Sequence, residues 1–190
     1  MRILTRNRVI GLAVAAFIFG IDRYVKYLMV GPLRLHERGH IDLLPFFDLT
    51  WTENYGVSLG MLTATSAEMR WALVILTAGI ALVVLVWMMR ERVLTDILAL
   101  ALVLGGALGN IRDRSVYGYV IDYADFHIGS FRPFLIFNIA DAAITIGVLI
   151  ILARSLFLRD KRSAKSEARS EDEPLDRPAR KAPDPATERH

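Results

Sequence analysis

Long apolar stretches alternate with short polar ones along this chain, and the apolar stretches outrun what a soluble core needs. Four of them come close to the ~20 residues that cross a hydrocarbon core at 1.5 Å per residue. They lie at Val9–Val30, Trp71–Met89, Leu94–Ile111 and Phe134–Leu158. The pattern predicts an all-α membrane fold, a four-transmembrane-helix bundle forming one domain over residues 1–158. The first span opens like a secretory signal, "MRILTRNR" then "VIGLAVAAFIFG", but continues into "IDRYVKYLMV" without a small-residue cleavage site. It therefore reads as a retained helix.

The period changes between the spans. In "FFDLTWTEN" (46–54), Phe47, Leu49 and Trp51 fall on one side and Asp48, Thr50 and Thr52 on the other. "YGYVIDYADF" (117–126) sets Tyr117, Tyr119, Ile121 and Tyr123 on one side. Period two with aromatic and β-branched residues predicts strands, hence a small outward-facing β-sheet. Beyond Leu158 the chain mixes both charge signs with proline and alanine and has almost nothing apolar to bury. Residues 159–190 therefore read as a disordered, charged cytoplasmic tail.

Composition sharpens this picture. Of 190 residues, 54% are hydrophobic, and cysteine is absent, which removes disulfides, thiolate nucleophiles and zinc-thiolate sites. The net charge of +3 comes from basic residues that flank the spans, which argues against nucleic acid. Arg2, Arg6 and Arg8 precede the first span, Arg90 and Arg92 fill the turn between the second and third, and Arg154, Arg159, Lys161 and Arg162 lie at the end of the fourth. Positive charge selects the cytoplasmic side, so both termini are expected there. The histidines, His36, His40, His127 and His190, show no metal-ligand spacing. No metal or cofactor is expected.

Ionisable residues inside a bilayer are costly and face the bundle interior. Asp22 and Lys26 form an i, i+4 pair suited to mutual neutralisation. Asn110, Asp113 and Arg114 end the third span, and Asn138 and Asp141 begin the fourth. Asp141 has no basic residue three or four positions away, so its partner must come from another helix. Gly105 and Gly109 are spaced for close helix packing, which would bring Asp113 against the fourth span. Two adjacent carboxyls cannot both ionise cheaply, so they share a proton and can act as base and acid on one water. That is aspartic protease chemistry.

These residues resemble the lipoprotein signal peptidase (signal peptidase II) family. "GGALGNIRDR" (105–114) resembles its GGxxGNxxDR block, "FNIAD" (137–141) its FNxAD, and "VIDY" (120–123) its VxDF. "NYGVSLG" (54–60) is similar to its NxGxxFG stretch and "DRYVK" (22–26) to its DxxxK. The resemblance spans roughly residues 10–155. It departs at Arg23, where glutamine is common, and at Ser58-Leu59, where Ala-Phe is common, which touches the expected pocket wall at 57–59.

The resemblance implies a multi-pass enzyme of the bacterial inner membrane, its active site towards the periplasmic face beneath a strand cradle. It implies that Asp113 and Asp141 cleave diacylglyceryl-modified prolipoproteins on the amino side of the lipidated cysteine. Asn54, Gly56, Asn110, Arg114 and Asn138 would line the site, with Asp22 and Lys26 in support. Membrane lipid is the surrounding partner, and a lateral substrate entrance favours a monomer. The competing reading is a small proton-coupled transporter using Asp22 and Asp141. It would want an acidic relay across the whole bilayer and internal repeats, which the sequence lacks.

Overall fold

The computed structural model describes residues 5–57, 62–63, 67–129 and 131–171. In chain order the elements are α1 (Arg6–Val30), α2 (Leu35–Arg38), β1 (His40–Leu44), β2 (Phe47–Asn54), β3 (Gly56–Val57), β4 (Leu62–Thr63), α3 (Ala67–Arg90), α4 (Leu94–Val116), β5 (Val120–Phe126) and α5 (Ile139–Glu171). The chain divides into two units, Met1–Leu152 and Ala153–His190. The first holds every strand described and all the site residues discussed below.

Among the described residues, three helices are long and apolar enough to cross a membrane: α3, α4 and α5 as far as Leu156. The expected fourth, α1, is equally long at 25 residues but carries Asp22, Arg23 and Lys26 on its later turns. Outward-facing leucine, isoleucine and valine side chains on α3 (Ile75, Leu76, Ile80, Leu82, Val83) and α5 (Leu149, Leu152, Leu156) form a belt that water would penalise and lipid accommodates.

The helix ends differ from the sequence pattern. Helix α4 runs on to Val116, which places Asp113 in its last turns rather than beyond them. Helix α5 starts at Ile139, because residues 134–138 are not helical and Phe137 bridges antiparallel to Ala124 of β5. Asp141 therefore sits in the first turn of α5. At its other end α5 is helical to Glu171, past the expected end of order at Leu158. Residues 159–171 are rich in Ala, Lys, Glu and Arg, whose helix propensity a hydropathy argument discounts. Residues 172–190 of the expected tail lie outside the described residues.

Helix α4 is the hub of the bundle. Its Ile97, Leu100, Ala101 and Leu104 pack with Ala15 of α1 and with Ala81 and Met88 of α3. The glycines decide how near its neighbours come. A Cβ on Gly105 would collide with the Ala15 carbonyl of α1, and one on Gly106 with the Ala140 carbonyl of α5. Gly109 faces Asp22, whose Oδ2 would lie 2.7 Å from an added Cβ. Small residues thus let two helices close onto α4 at backbone distance, on the turns that carry its polar groups.

The expected strands form, and a third joins them. Strands β1, β2 and β5 make an antiparallel sheet in the order β1-β2-β5. Leu49, Ile121, Tyr123 and Ala124 of this sheet pack on Met29 of α1 and Leu35 of α2. The β2–β5 register breaks between Leu49 and Thr52, then resumes with Thr52 opposite Asp122 and Asn54 opposite Val120. That register brings Asn54 and Asp122 together.

Candidate active site

Two polar groups are buried side by side in this unit. The first is an ion cluster between α1 and α4. Lys26 Nζ lies 3.0 Å from Asp22 Oδ2 and 2.7 Å from Asp113 Oδ2. Arg23 pairs with Asp113 Oδ1. The side chains of Asp22, Lys26 and Asp113 are wholly buried. Arg112 Nη1 also lies 3.8 Å from Asp113 Oδ1, so the two acids are offset by bases on every side, which is the condition for keeping charges out of water. Asp22 also reaches a third helix, accepting the Ala140 N–H through Oδ1 at 3.2 Å. A carboxylate there satisfies an otherwise unpaired donor in the first turn of α5 and meets the positive end of its dipole.

The second group is built on asparagines. Asn138 immediately precedes α5 and caps it: its Oδ1 accepts the Asp141 N–H at 2.9 Å, while its own N–H donates to Asp141 Oδ2 at 3.3 Å. This reciprocal pair is a capping box with Asp in the acid position. Asn138 Nδ2 then donates to Asp122 Oδ1 at 2.6 Å, with Asn110 Oδ1 and the Ile121 carbonyl at 3.3 Å. Asn110 Nδ2 donates to Asp141 Oδ1 at 2.8 Å. Asn54 Nδ2 donates to Asp122 Oδ2 at 3.1 Å, and its Oδ1 accepts the Gly56 N–H at 3.1 Å, which fixes the amide's orientation. One asparagine is therefore bonded to both Asp122 and Asp141.

The two groups touch through Asn110, whose Oδ1 also lies 3.5 Å from Lys26 Nζ. Their electrostatics differ. Burial first, and then the negative charge of Asp141, push the Asp122 carboxyl up to about 7, against the pull of hydrogen bonds from Asn54 and Asn138. Arg114 is within electrostatic reach of Asp141, Asp122 and Asp113, and its buried Nε has no hydrogen-bond partner among the described residues. Asp141 also borders a cavity of about 360 Å³ walled by Phe134, Leu135, Phe137, Ala142, Thr145 and Ile146. An apolar cleft of this size with one carboxylate at its edge has the make-up of a ligand site.

The structure gathers Asn54, Gly56, Asn110, Asn138 and Asp141 where the sequence reading expected a site. It joins Asp22 and Lys26 as expected, in a cluster that also takes in Arg23. Asp113 is placed differently: both of its oxygens are occupied by Arg23 and Lys26, and the carboxyl that shares an asparagine with Asp141 is Asp122. The strand pattern held a signal for Asp122. It stands on the face opposite Tyr119, Ile121 and Tyr123 with no base nearby in sequence. Ser58 and Leu59 of the expected pocket wall lie outside the described residues.

Apolar helices closing over paired carboxyls and amides make a membrane protein with a buried polar site. The comparisons agree: the family described as "Signal peptidase (SPase) II" matches residues 14–157, and the chain belongs to that family. The chain is 53% identical over 151 residues to the lipoprotein signal peptidase of Sphingopyxis alaskensis, covering 80% of this chain and 87% of the relative. It is 39% identical over 150 residues to that of Methylocella silvestris, covering 79% and 87%. A solved bacterial membrane enzyme superposes with a TM-score of 0.65 at 30% identity, covering 77% of this chain and 92% of the other. The transporter reading is not favoured.

Proposed function

We propose that the chain is an intramembrane aspartic endopeptidase that removes signal peptides from diacylglyceryl-modified prolipoproteins, with Asp122 and Asp141 as its catalytic pair. The observation that carries the assignment is Asn138, which donates to both carboxyls, through Nδ2 to Asp122 and through its backbone N–H to Asp141. The expected pairing of Asp113 with Asp141 gives way on chemical grounds. Arg23 and Lys26 take one oxygen each of Asp113, which leaves neither oxygen free to face a water. Asp122, buried near a like charge and hydrogen-bonded by neutral amides, has its pKa raised to about 7, so it can exchange a proton near neutral pH.

In the reaction, one member of the pair takes a proton from water as its oxygen attacks the scissile carbonyl carbon. The other gives its proton to the carbonyl oxygen. Collapse of the resulting diol breaks the C–N bond, and a carboxyl proton goes to the leaving nitrogen of the lipidated cysteine. Arg114 and the free faces of Asn54 and Asn110 hold substrate backbone, Gly56 keeps Asn54 oriented, and the cavity beside Asp141 takes apolar substrate. Asp22, Lys26 and Asp113 position α1, α4 and α5.

Orientation belongs to the same reading. Helix α1 serves as a fourth span, its charges turned inward while Phe17, Ile21 and Tyr24 face out. The basic flanks place both termini in the cytoplasm, with the site under the periplasmic leaflet of a bacterial inner membrane. A substrate whose acyl chains remain in lipid enters sideways, which suits a monomer. The test is incubation of purified protein with a diacylglyceryl prolipoprotein, reading signal-peptide release. Release by wild type, abolished in Asp122→Asn and in Asp141→Asn, is expected. Full release by either variant overturns the assignment.

A further inference from the structure

The sheet carries a second polar cluster, apart from the acid pair. Across its three strands, Asp42 of β1 stands opposite Asp48 of β2, and Asp48 stands opposite Asp125 of β5. Like charges directly opposite each other destabilise a sheet unless something positive lies between them. For Asp125 that is Arg132, whose Nε lies 3.0 Å from Oδ1. Asp42 and Asp48 have two histidines instead. His40 Nε2 is 2.8 Å from Asp42 Oδ1 and 3.5 Å from Asp48 Oδ2. His127, just past β5, sets Nε2 2.8 Å from the same Asp48 Oδ2.

A hydrogen-bond chain fixes which nitrogen of His40 faces the acids as a lone pair. Arg132 Nε reaches both oxygens of Asp125, at 3.0 and 3.1 Å, the pairing of a guanidinium with a carboxylate. As an ionised acceptor it takes the Thr50 hydroxyl proton, with Oγ1 3.0 Å from Asp125 Oδ2. Thr50 Oγ1 must then accept from His40 Nδ1, 2.8 Å away. With Nδ1 turned to Thr50, His40 presents Nε2 towards two carboxylates, a set of donor atoms that suits a cation. A ring N–H anchored through a hydroxyl to a carboxylate is also the outer support that metal-ligating histidines use.

We propose that His40 Nε2, His127 Nε2, Asp48 and Asp42 bind one divalent transition-metal ion of the Zn2+ class. The donor atoms of His40, Asp42 and Asp48 lie within 4.8 Å of one another. A tetrahedral ion with bonds of about 2.0–2.2 Å would draw them to about 3.4 Å apart, a closure that rotation of the exposed Asp42 side chain supplies. Asp48, Asp42 and His127 border a cavity of about 360 Å³, which gives the ion an entrance. The ligands come from β1, β2 and the end of β5, so the ion clamps the three strands together. Strands β2 and β5 carry Asn54 and Asp122 at their other end.

The experiment uses full-length, tag-free protein in detergent, stripped with chelator and titrated with Zn2+ alone. Isothermal titration is expected to give one ion per chain, with the melting temperature rising by about 4–8 °C at saturation. His40→Ala, its side chain already 41% exposed, and Asp42→Ala, 92% exposed, should fold normally and lose most of the binding. His36→Ala should bind as wild type. Co2+ in place of Zn2+ should give the visible absorption of a tetrahedral centre in wild type and not in His40→Ala. Three results overturn the proposal: no Zn2+ binding by wild type, binding unchanged in His40→Ala, or a melting temperature that responds to pH and not to metal. The last would mean that an imidazolium at His40 supplies the positive charge.

Discussion

Asp113 and Asp122 lie on consecutive elements, both buried, and meet opposite surroundings. Asp113 on α4 is paired with Arg23 and Lys26, with Arg112 Nη1 3.8 Å away. Asp122 on β5 takes its side-chain hydrogen bonds from the amides of Asn54 and Asn138, beside the negative charge of Asp141. The first arrangement engages both oxygens of a carboxylate and ties α1 to α4. The second leaves a carboxyl with its pKa raised to about 7. Two buried acids a few residues apart thus differ in whether a base or an amide is bonded to them.

Substitutions at the two acids should separate these roles most widely. Asp122→Asn or Asp141→Asn is expected to lower signal-peptide release by at least about 10³-fold with melting temperature nearly unchanged, as loss of an acid–base group requires. Asp113→Asn should do the reverse. It breaks a buried ion pair, leaving Arg23 without its carboxylate and Lys26 with Asp22 alone, at a cost of about 3–5 kcal/mol, so thermal stability in detergent should fall steeply while the folded fraction still cleaves. Turnover abolished at unchanged stability in Asp113→Asn would restore that residue to the catalytic pair and break the comparison.

A smaller effect is expected where the two regions share a wall. Gly106→Ala drives a Cβ into the Ala140 carbonyl and forces the first turn of α5, with Asn138 and Asp141, away from α4. About 1–3 kcal/mol of stability should be lost, together with much of the activity. Gly20→Ala, with open space around it, should change neither. Equal behaviour of the two variants in melting and cleavage assays would show that α5 is not held by this contact.

The finest test reads protons. Asp122 is raised from an ordinary 3.8 to about 7, so the folded state binds more protons than the unfolded chain between those values. Its favourable contribution is full below pH 3.8 and lost as pH rises through about 7. Cleavage should decline over the same alkaline limb as the pair gives up its shared proton. Asn54→Ala removes a hydrogen bond that favours the ionised form, so the limb should move to higher pH, with kcat/KM about tenfold lower. A limb that stays in place would mean that another group sets it.

Much of this was legible along the chain. The apolar runs gave α3, α4 and the spanning part of α5 because twenty lipid-compatible residues leave a chain few options. Period two gave β2 and β5. Asn110, Asn138 and Asp141 stood out because amides and an unpaired acid are costly beside such runs. Asp113 is where the packing departs from the expected pairing. Its position on a polar helix end, facing α5 across glycines, is what a catalytic partner would show. Only the packing of α1 revealed that Arg23 and Lys26 reach it first.

The sequence by itself therefore determined the membrane class, the elements and the stock of buried polar groups, since these follow from local hydropathy, periodicity and composition. The tertiary structure alone decided which acid is bonded to bases and which to amides. It also decided that His40, Asp42, Asp48 and His127 converge. Charge compensation acts over a few ångströms between residues far apart in the chain, so no local pattern can assign the partners before the helices and strands have met.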